Sequence, residues 1–179
     1  LTKTYKVPSS KLDGNHGTTL EIRLAHETDA EALAWLHQEL LTFYGLPARN
    51  QRSFMAHAIE KGAFSVNSGL KILLAIGNQK PIGFLAFSEI FALANCQKSI
   101  FIQDLFITRK VRQSGAGRAL MQALFDFAKV NDITQIDWTT DAWNSKAIAF
   151  YEHIVPSLKT EKILYRLNKE RLNQIMNKY

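Results

Sequence analysis

The residues best suited to chemistry begin at Phe101. Phe101-Ile102-Gln103-Asp104-Leu105-Phe106-Ile107 reads as a strand, and Arg112-Gln113-Ser114-Gly115-Ala116-Gly117-Arg118 reads as a glycine loop opening a helix. The first turn of a helix leaves N–H groups without carbonyl partners and carries partial positive charge. Glycine lets an anion approach that backbone closely. Arg112 and Arg118 add cationic charge on either side of the loop. The segment is therefore a candidate phosphate cradle, with a Gly-rich turn flanked by solvated arginines as the plainer alternative. It is not a P-loop, because no Gly-Lys-Ser/Thr follows a four-residue spacer. Nor is it a dinucleotide fingerprint, because Leu120 stands where the third glycine is needed.

A second constellation lies downstream, in Trp143-Asn144-Ser145-Lys146-Ala147-Ile148-Ala149-Phe150-Tyr151-Glu152. Asn144 is a good helix N-cap, and Tyr151 lies two helical turns on, so both share a face. A phenol there can donate a proton to a leaving group, while Phe150-Tyr151 as plain aromatic packing is the alternative.

Arg-x-x-Gly-x-Gly after a strand, followed by Asn144, the alanines and Phe150-Tyr151 in this order, resembles the GNAT superfamily of N-acetyltransferases. Beyond these motifs, Phe43-Tyr44-Gly45-Leu46-Pro47, Trp143-Asn144 and Leu164-Tyr165-Arg166-Leu167-Asn168-Lys169-Glu170 resemble its spermidine/spermine (diamine) branch. The resemblance covers roughly Glu21 to Met176. It implies an acyl-CoA N-acyltransferase fold and acetyl-CoA as cosubstrate. It also implies an acetyl group passed directly to a small-molecule or peptide amine, and a homodimer. By the same resemblance, Leu105, Phe106 and Ile107 meet the pantetheine arm, and Arg112, Gln113, Ser114, Gly115, Ala116, Gly117 and Arg118 hold the diphosphate. Asn144, Lys146 and Tyr151 complete the cofactor site, with Tyr151 as general acid toward the thiolate. Gln103, Asp137 and Trp138 line the acceptor side.

Two positions depart from the branch pattern. Gln103-Asp104 stands where Glu-Asp is usual, and Gln is neither a base nor an anion. Adjacent strand residues point to opposite faces, so Asp104 is not expected to replace the missing carboxylate. Ile154-Val155-Pro156 stands where a glycine turn is common. The general base is left open among Glu89, Asp137 and Asp141. A net charge of +6 argues against a polycationic acceptor.

Several elements must position these residues. Thr19 to Leu24 alternates as a strand, and Thr28 with Glu31 forms a candidate capping box for a helix running to Phe43. A second helix spans Gln51 to Lys61. Leu70–Ile76 and Ile82–Phe91 form a hairpin around Gly77-Asn78-Gln79-Lys80, and Ser99–Ile107 is a third long strand. A helix to Val130, a strand Ile133–Thr139, a helix Ser145–Ile154, a strand Lys162–Leu167 and a helix Lys169–Asn177 complete the chain. The order implies an α/β fold with a single mixed, mostly antiparallel central sheet and helices on both faces. Residues 1–18 are expected to be a flexible tail and 19–179 the domain.

Composition bounds the rest. The chain has 179 residues, 46% of them hydrophobic and 21% charged, which excludes a disordered chain. No run is apolar enough to span a membrane, and Lys3, Lys6 and Lys11 flank no apolar leader core. A cytoplasmic protein with no membrane partner is expected. The lone Cys96 excludes an internal disulfide and reads as an inert thiol. His16, His26, His37, His57 and His153 show no metal spacing, so no metal is expected, and they are read as surface or tail residues. Trp35, Trp138 and Trp143 are read as core or pocket wall. The rival functions are a non-catalytic acyl-CoA-binding domain and a nucleic-acid-binding domain. The second is disfavoured because the basic residues are not interleaved with aromatics.

Overall fold

The computed structural model describes residues 2–6, 19–47, 51–156 and 159–178. The chain forms two compact units, one ending at Thr139 and the other beginning at Thr140.

The first unit is built on six strands in the order β1 (Thr2–Lys6), β2 (Thr19–Leu24), β3 (Leu70–Gly77), β4 (Lys80–Ala92), β5 (Gln97–Ile107) and β6 (Gln135–Trp138). All neighbours are antiparallel except β5 and β6. Helices α1 (Ala30–Phe43) and α2 (Arg52–Ala63) lie between β2 and β3, and α3 (Ala116–Val130) between β5 and β6.

Side-chain alternation along the strands divides the core in two. Ile72, Leu74, Phe84, Ala86 and Phe106 pack with Leu33, Leu36 and Leu40 of α1. The intervening residues Leu73, Leu85, Phe87 and Ile100 are fully buried on the opposite face, where the Phe87 ring meets Phe127 of α3 edge-on at 5.1 Å. Leu120, Leu124 and Phe127 form the buried stripe of α3 that the sequence spacing anticipates. The mixed sheet with a helical layer on each face is as expected from sequence. The hairpin turn is also as expected: Asn78 and Gln79 both have positive φ, 51° and 61°. That is the turn geometry that matches the right-handed twist of the flanking strands.

Three expectations need correction. Thr2–Lys6 form an edge strand against β2 instead of belonging to a tail, and Lys3 pairs with Asp126 on α3. Residues 7–18 lie outside the described residues. Lys162–Leu167 is not a strand: 159–168 carry no regular structure and are exposed. Ile163 and Tyr165 favour extended structure, but a strand needs a partner ladder, and among the described residues it has none.

The third correction is the start of α1. The cap is not Thr28 with Glu31. Glu27–Asp29 form a 3₁₀ turn, and Asp29 Oδ2 accepts the His26 N–H at 2.8 Å. Arg23 donates to both Asp29 oxygens, at 2.7 and 2.8 Å, which ties the end of β2 to the helix start. This fork is the geometry that suits Arg and a carboxylate.

The second unit contains α4 (Ser145–Ile154) and α5 (Lys169–Met176). Each begins with an Asn cap: Asn144 Oδ1 accepts Ala147 N–H at 3.2 Å, and Asn168 Oδ1 accepts Arg171 N–H at 2.9 Å. Among the described residues no helix is long and apolar enough to cross a membrane.

The Arg23 guanidinium holds the Asp29 carboxyl below its ordinary range. A depressed carboxylate contributes stability above its unfolded value, near 4, and loses it as pH falls through the lower folded value. Asp29→Asn is therefore expected to cost about 1.5–3 kcal/mol near neutral pH. The gap to the parent should close on acidification below pH ~4. Urea unfolding at a series of pH values measures both, and a gap that grows toward acid would contradict it.

Candidate active site

The site is built around the second half of β5. The pairing of β4 with β5 runs Gly83↔Ile107, Phe84↔Phe106, Leu85↔Leu105 and Ala86↔Asp104, then Phe87↔Ile102. One step on β4 is matched by two on β5, so Gln103 is an extra residue, a β-bulge. Its consequence is a change of parity. Ile102 shares the α3 face with Phe87, while Asp104 shares the α1 face with Ala86 and Phe84. Gln103 points to the α1 face as well, donating Nε2–H to Ser88 Oγ at 2.9 Å. The expectation that Gln103 and Asp104 diverge is thus overturned: both side chains reach the same face.

Asp104 keeps solvent access, yet the protein around it crowds the carboxyl. That desolvation pushes it up from the ordinary carboxylate range, and the field of His37 pulls it part of the way back. His37 itself is half-buried on α1, not a surface residue, and its Nδ1 is buried with no hydrogen-bond partner. The sequence carries a signal for this, because position 37 falls between Leu33 and Leu40 on the buried stripe of α1.

The other candidate bases separate by face. Glu89 has the parity of Phe87 and pairs with Lys71 at 2.6 Å, on the face away from α1. Asp137 stands opposite Phe101, on the α1 face, and its Oδ2 accepts Gln135 Nε2–H at 2.6 Å. Trp138 stands opposite Ile102, on the α3 face and half-buried, so the two β6 candidates do not share a side.

The edge of β5 is as informative as its side chains. Thr108 N–H donates to the Ile82 carbonyl at 2.9 Å. Alternation then directs the main-chain groups of Phe106 and Asp104 toward β4, and those of Leu105 and Ile107 away from it. On that far side β6 pairs only with Ser99 to Ile102. Among the described residues no strand covers β5 beyond Ile102. Leu105 and Ile107 thus present main-chain groups to an open edge, with the Ile107 carbonyl accepting Arg112 Nε–H at 3.1 Å.

The loop after β5 is shaped for close approach. Gln113 has φ +65° and Gly115 φ +92°, with Gly115 at the N-cap of α3 and no side chain capping the helix. Successive backbone N–H groups in such a turn make an anion-binding concavity. Ser114 is buried, and its Oγ lies 3.4 Å from the Ala116 N–H. The Gly117 and Arg118 amides have no carbonyl within α3 to reach. Arg118 is exposed.

Arg112 is placed differently from the expectation. Its guanidinium sits 4.5 Å from the Phe43 ring and 5.6 Å from the Phe106 ring, so it braces the loop against the end of α1. Burial lowers its proton affinity, and Arg109 adds like-charge repulsion.

In the second unit, Asn144 caps α4, Lys146 and Trp143 are exposed, and the Phe150 and Tyr151 rings meet edge-to-face at 5.2 Å.

An open strand edge running into a glycine loop at a helix start fits the two parts of coenzyme A, an extended amide-bearing arm and a diphosphate. The family model for the Acetyltransferase (GNAT) family matches residues 30–154. The chain belongs to the GNAT family. It is an acetyl-CoA-dependent N-acetyltransferase. Over 151 residues it is 29% identical to the uncharacterised N-acetyltransferase YhfO of Bacillus subtilis (strain 168), covering 83% of this chain and 97% of the relative. A shorter match, 28% over 87 residues, is to the D-amino-acid N-acetyltransferase HPA3 of Saccharomyces cerevisiae, covering 49% of this chain and 53% of that one. Among solved structures, the integron cassette protein VCH_CASS6 from the mobile metagenome of V. cholerae superposes with TM-score 0.80 at 27% identity. That alignment covers 88% of the acetyltransferase and 97% of the cassette protein.

Gly83 lets β4 and β5 close at this site. A Cβ there would lie 2.4 Å from the Ile107 side chain and 2.5 Å from the Phe106 carbonyl oxygen. Gly83→Ala is expected to cost about 1–3 kcal/mol and to raise the KM for acetyl-CoA, because β5 must move to admit the methyl. Thermal unfolding and a KM comparison check this, and an unchanged KM would separate the edge from cofactor binding.

Proposed function

We propose that this acetyltransferase moves an acetyl group directly from acetyl-CoA to the primary amine of a small molecule or peptide. The observation that carries the reading is the bulged β5, whose open edge at Leu105 and Ile107 leads into the Gly115-Ala116-Gly117 helix start. In this reading Leu105 and Ile107 pair with the pantetheine arm, Phe106 packs beneath it, and the amides from Gln113 to Arg118 take the diphosphate. Arg112 acts by bracing that loop. The family resemblance assigns Asn144 and Lys146 to the cofactor as well.

The acceptor approaches the α1 face of β5, where Gln103 and Asp104 emerge together. The relatives span varied acceptors by name, from D-amino acids to L-ornithine. The spermidine/spermine resemblance keeps polyamines among the candidates, since Asp104 offers the anion that such a site needs. The amine nitrogen attacks the thioester carbonyl, the C–N bond forms and the C–S bond breaks. Holding both reactants in line is worth up to ~7–11 kcal/mol. Tyr151 O–H is the donor to the departing thiolate. The reading keeps residues 19–179, with β1 added, as the catalytic domain, a homodimer as assembly and the cytoplasm as location.

Release of free coenzyme A is to be followed with polyamines, amino acids, aminoglycosides and peptide N-termini. Turnover above background with at least one class is expected, and none with any class would overturn the reading. Tyr151→Phe is expected to lower kcat about 10²-fold while leaving the KM for acetyl-CoA within a factor of a few. An unchanged kcat would remove Tyr151 from the role of acid.

A further inference from the structure

The bulge puts two adjacent residues of β5 on the α1 face, and only one of them, Asp104, is charged. The other, Gln103, is exposed there, and its Nε2–H donates to Ser88 Oγ at 2.9 Å. Ser88 is half-buried on β4, opposite Phe101. This bond leaves one group of each kind unspent: the Gln103 Oε1 as acceptor and the Ser88 O–H as donor. Turning the amide over exchanges the two roles and again leaves one donor and one acceptor. The pair is therefore neutral and two-sided.

The charges around it are engaged or lie elsewhere. Across Phe101, Asp137 accepts Gln135 Nε2–H at 2.6 Å. On the β3 side, Ser88 stands opposite the apolar Leu70. Glu89 and Lys71 pair with each other on the other face. An acceptor whose amine meets the thioester at the edge of β5 carries the rest of itself across this face. Whatever lies over Gln103 and Ser88 meets neither a net charge nor a plain apolar wall. An amide or a hydroxyl satisfies both unspent groups, since each can donate and accept at once. An ammonium only donates, and it gives up hydration without gaining a counter-charge. An alkyl group leaves both polar groups unpaired.

We infer that Gln103 and Ser88 set the acceptor class: an amine that bears a neutral amide or hydroxyl a short chain away from the reacting nitrogen, in preference to one that bears a second ammonium. The inference rests on the proposed amine-acetylating reading and narrows it, taking polyamines out of the favoured acceptors. The pair decides which amine is held and takes no part in the transfer itself.

Four primary amines of similar size test this with the whole chain and acetyl-CoA: β-alaninamide, 3-amino-1-propanol, 1,3-diaminopropane and butylamine. They differ in the terminal group that would reach the pair, and kcat/KM is expressed per free amine. The amide and the hydroxyl are expected to exceed the diamine and the alkyl amine by at least ~10-fold. Gln103→Glu is expected to put the diamine ahead of the amide, and Ser88→Ala to lower the preference for the amide several-fold. A folding defect would lower all four amines together, so the order of acceptors is the readout. Equal use of amide and diamine by the parent would overturn the inference, as would an order that Gln103→Glu leaves unchanged. Binding is read separately. The Gln103 side-chain NH₂ signals, assigned by their loss in Gln103→Glu, are followed by ¹⁵N NMR with coenzyme A present. β-Alaninamide is expected to move them and 1,3-diaminopropane to leave them in place. Signals that β-alaninamide leaves unmoved would overturn the subsite. If no amine of any class is turned over, the proposed function fails, while the NMR titration still decides what the pair binds.

Discussion

An extra residue in one strand organises everything that follows it. In a regular antiparallel pair, side chains alternate without exception, so a strand cannot present adjacent polar residues to one cleft. Gln103 breaks that alternation. Before it, Ile100 and Ile102 serve the core under α3; after it, Asp104 and Phe106 serve the face under α1. A single strand thus contributes to two cores and, at the crossover, presents a carboxylate and an amide on the same face. The bulge lies where β6 stops following β5. The same stretch therefore offers side chains on its face and main-chain groups on its edge. A cosubstrate on the edge and an acceptor on the face would converge there.

The loop that follows β5 is held by a different kind of contact. Arg112 is placed between the rings of Phe43 and Phe106 and donates to the last carbonyl of β5. A guanidinium is weakly hydrated and stacks well on aromatic faces, which suits it to such a position. The end of α1, the end of β5 and the start of the glycine loop are pinned together through one side chain. Arg23 does the equivalent at the start of α1, forking to Asp29. Helix α1 is thus fixed at both ends by arginine, and His37 lies between. Of the net charge of +6, Arg112 is committed to architecture, and the exposed Arg118 at the head of α3 remains available to an anion.

How much of this is legible in the sequence follows from how local each signal is. The glycine loop, the Asn144 cap and the amphipathic stripe of α3 are written in contiguous residues, and each lies where its pattern places it. The I′ turn at Asn78-Gln79 is legible as a turn, although Gln at positive φ is not what sequence favours. The strand Thr2–Lys6 leaves no comparable mark, because its stability comes from β2 and from the Lys3–Asp126 pair, both distant in sequence. Lys162–Leu167 misleads for the opposite reason, since residue types that favour strands do not by themselves supply a ladder. The bulge is the sharpest case. No residue type in Ile102-Gln103-Asp104 announces it, because the register is fixed jointly by β4 and by which residues must be buried on each side.

The bulge also explains why the acceptor side is only partly legible. Strand parity is a sound rule, but it excludes Asp104 only if the strand keeps its alternation, and β5 does not. His37 is obscured by residue type, since a lone histidine ordinarily belongs on the surface. Burial follows from position on the helix rather than from residue type. On a helix whose positions 33, 36 and 40 face the sheet, position 37 is partly withdrawn from water. Asp104 and His37 thus come to the same side of the sheet from elements far apart in sequence. A partly buried polar group such as His37 carries a desolvation cost that an apolar residue would avoid.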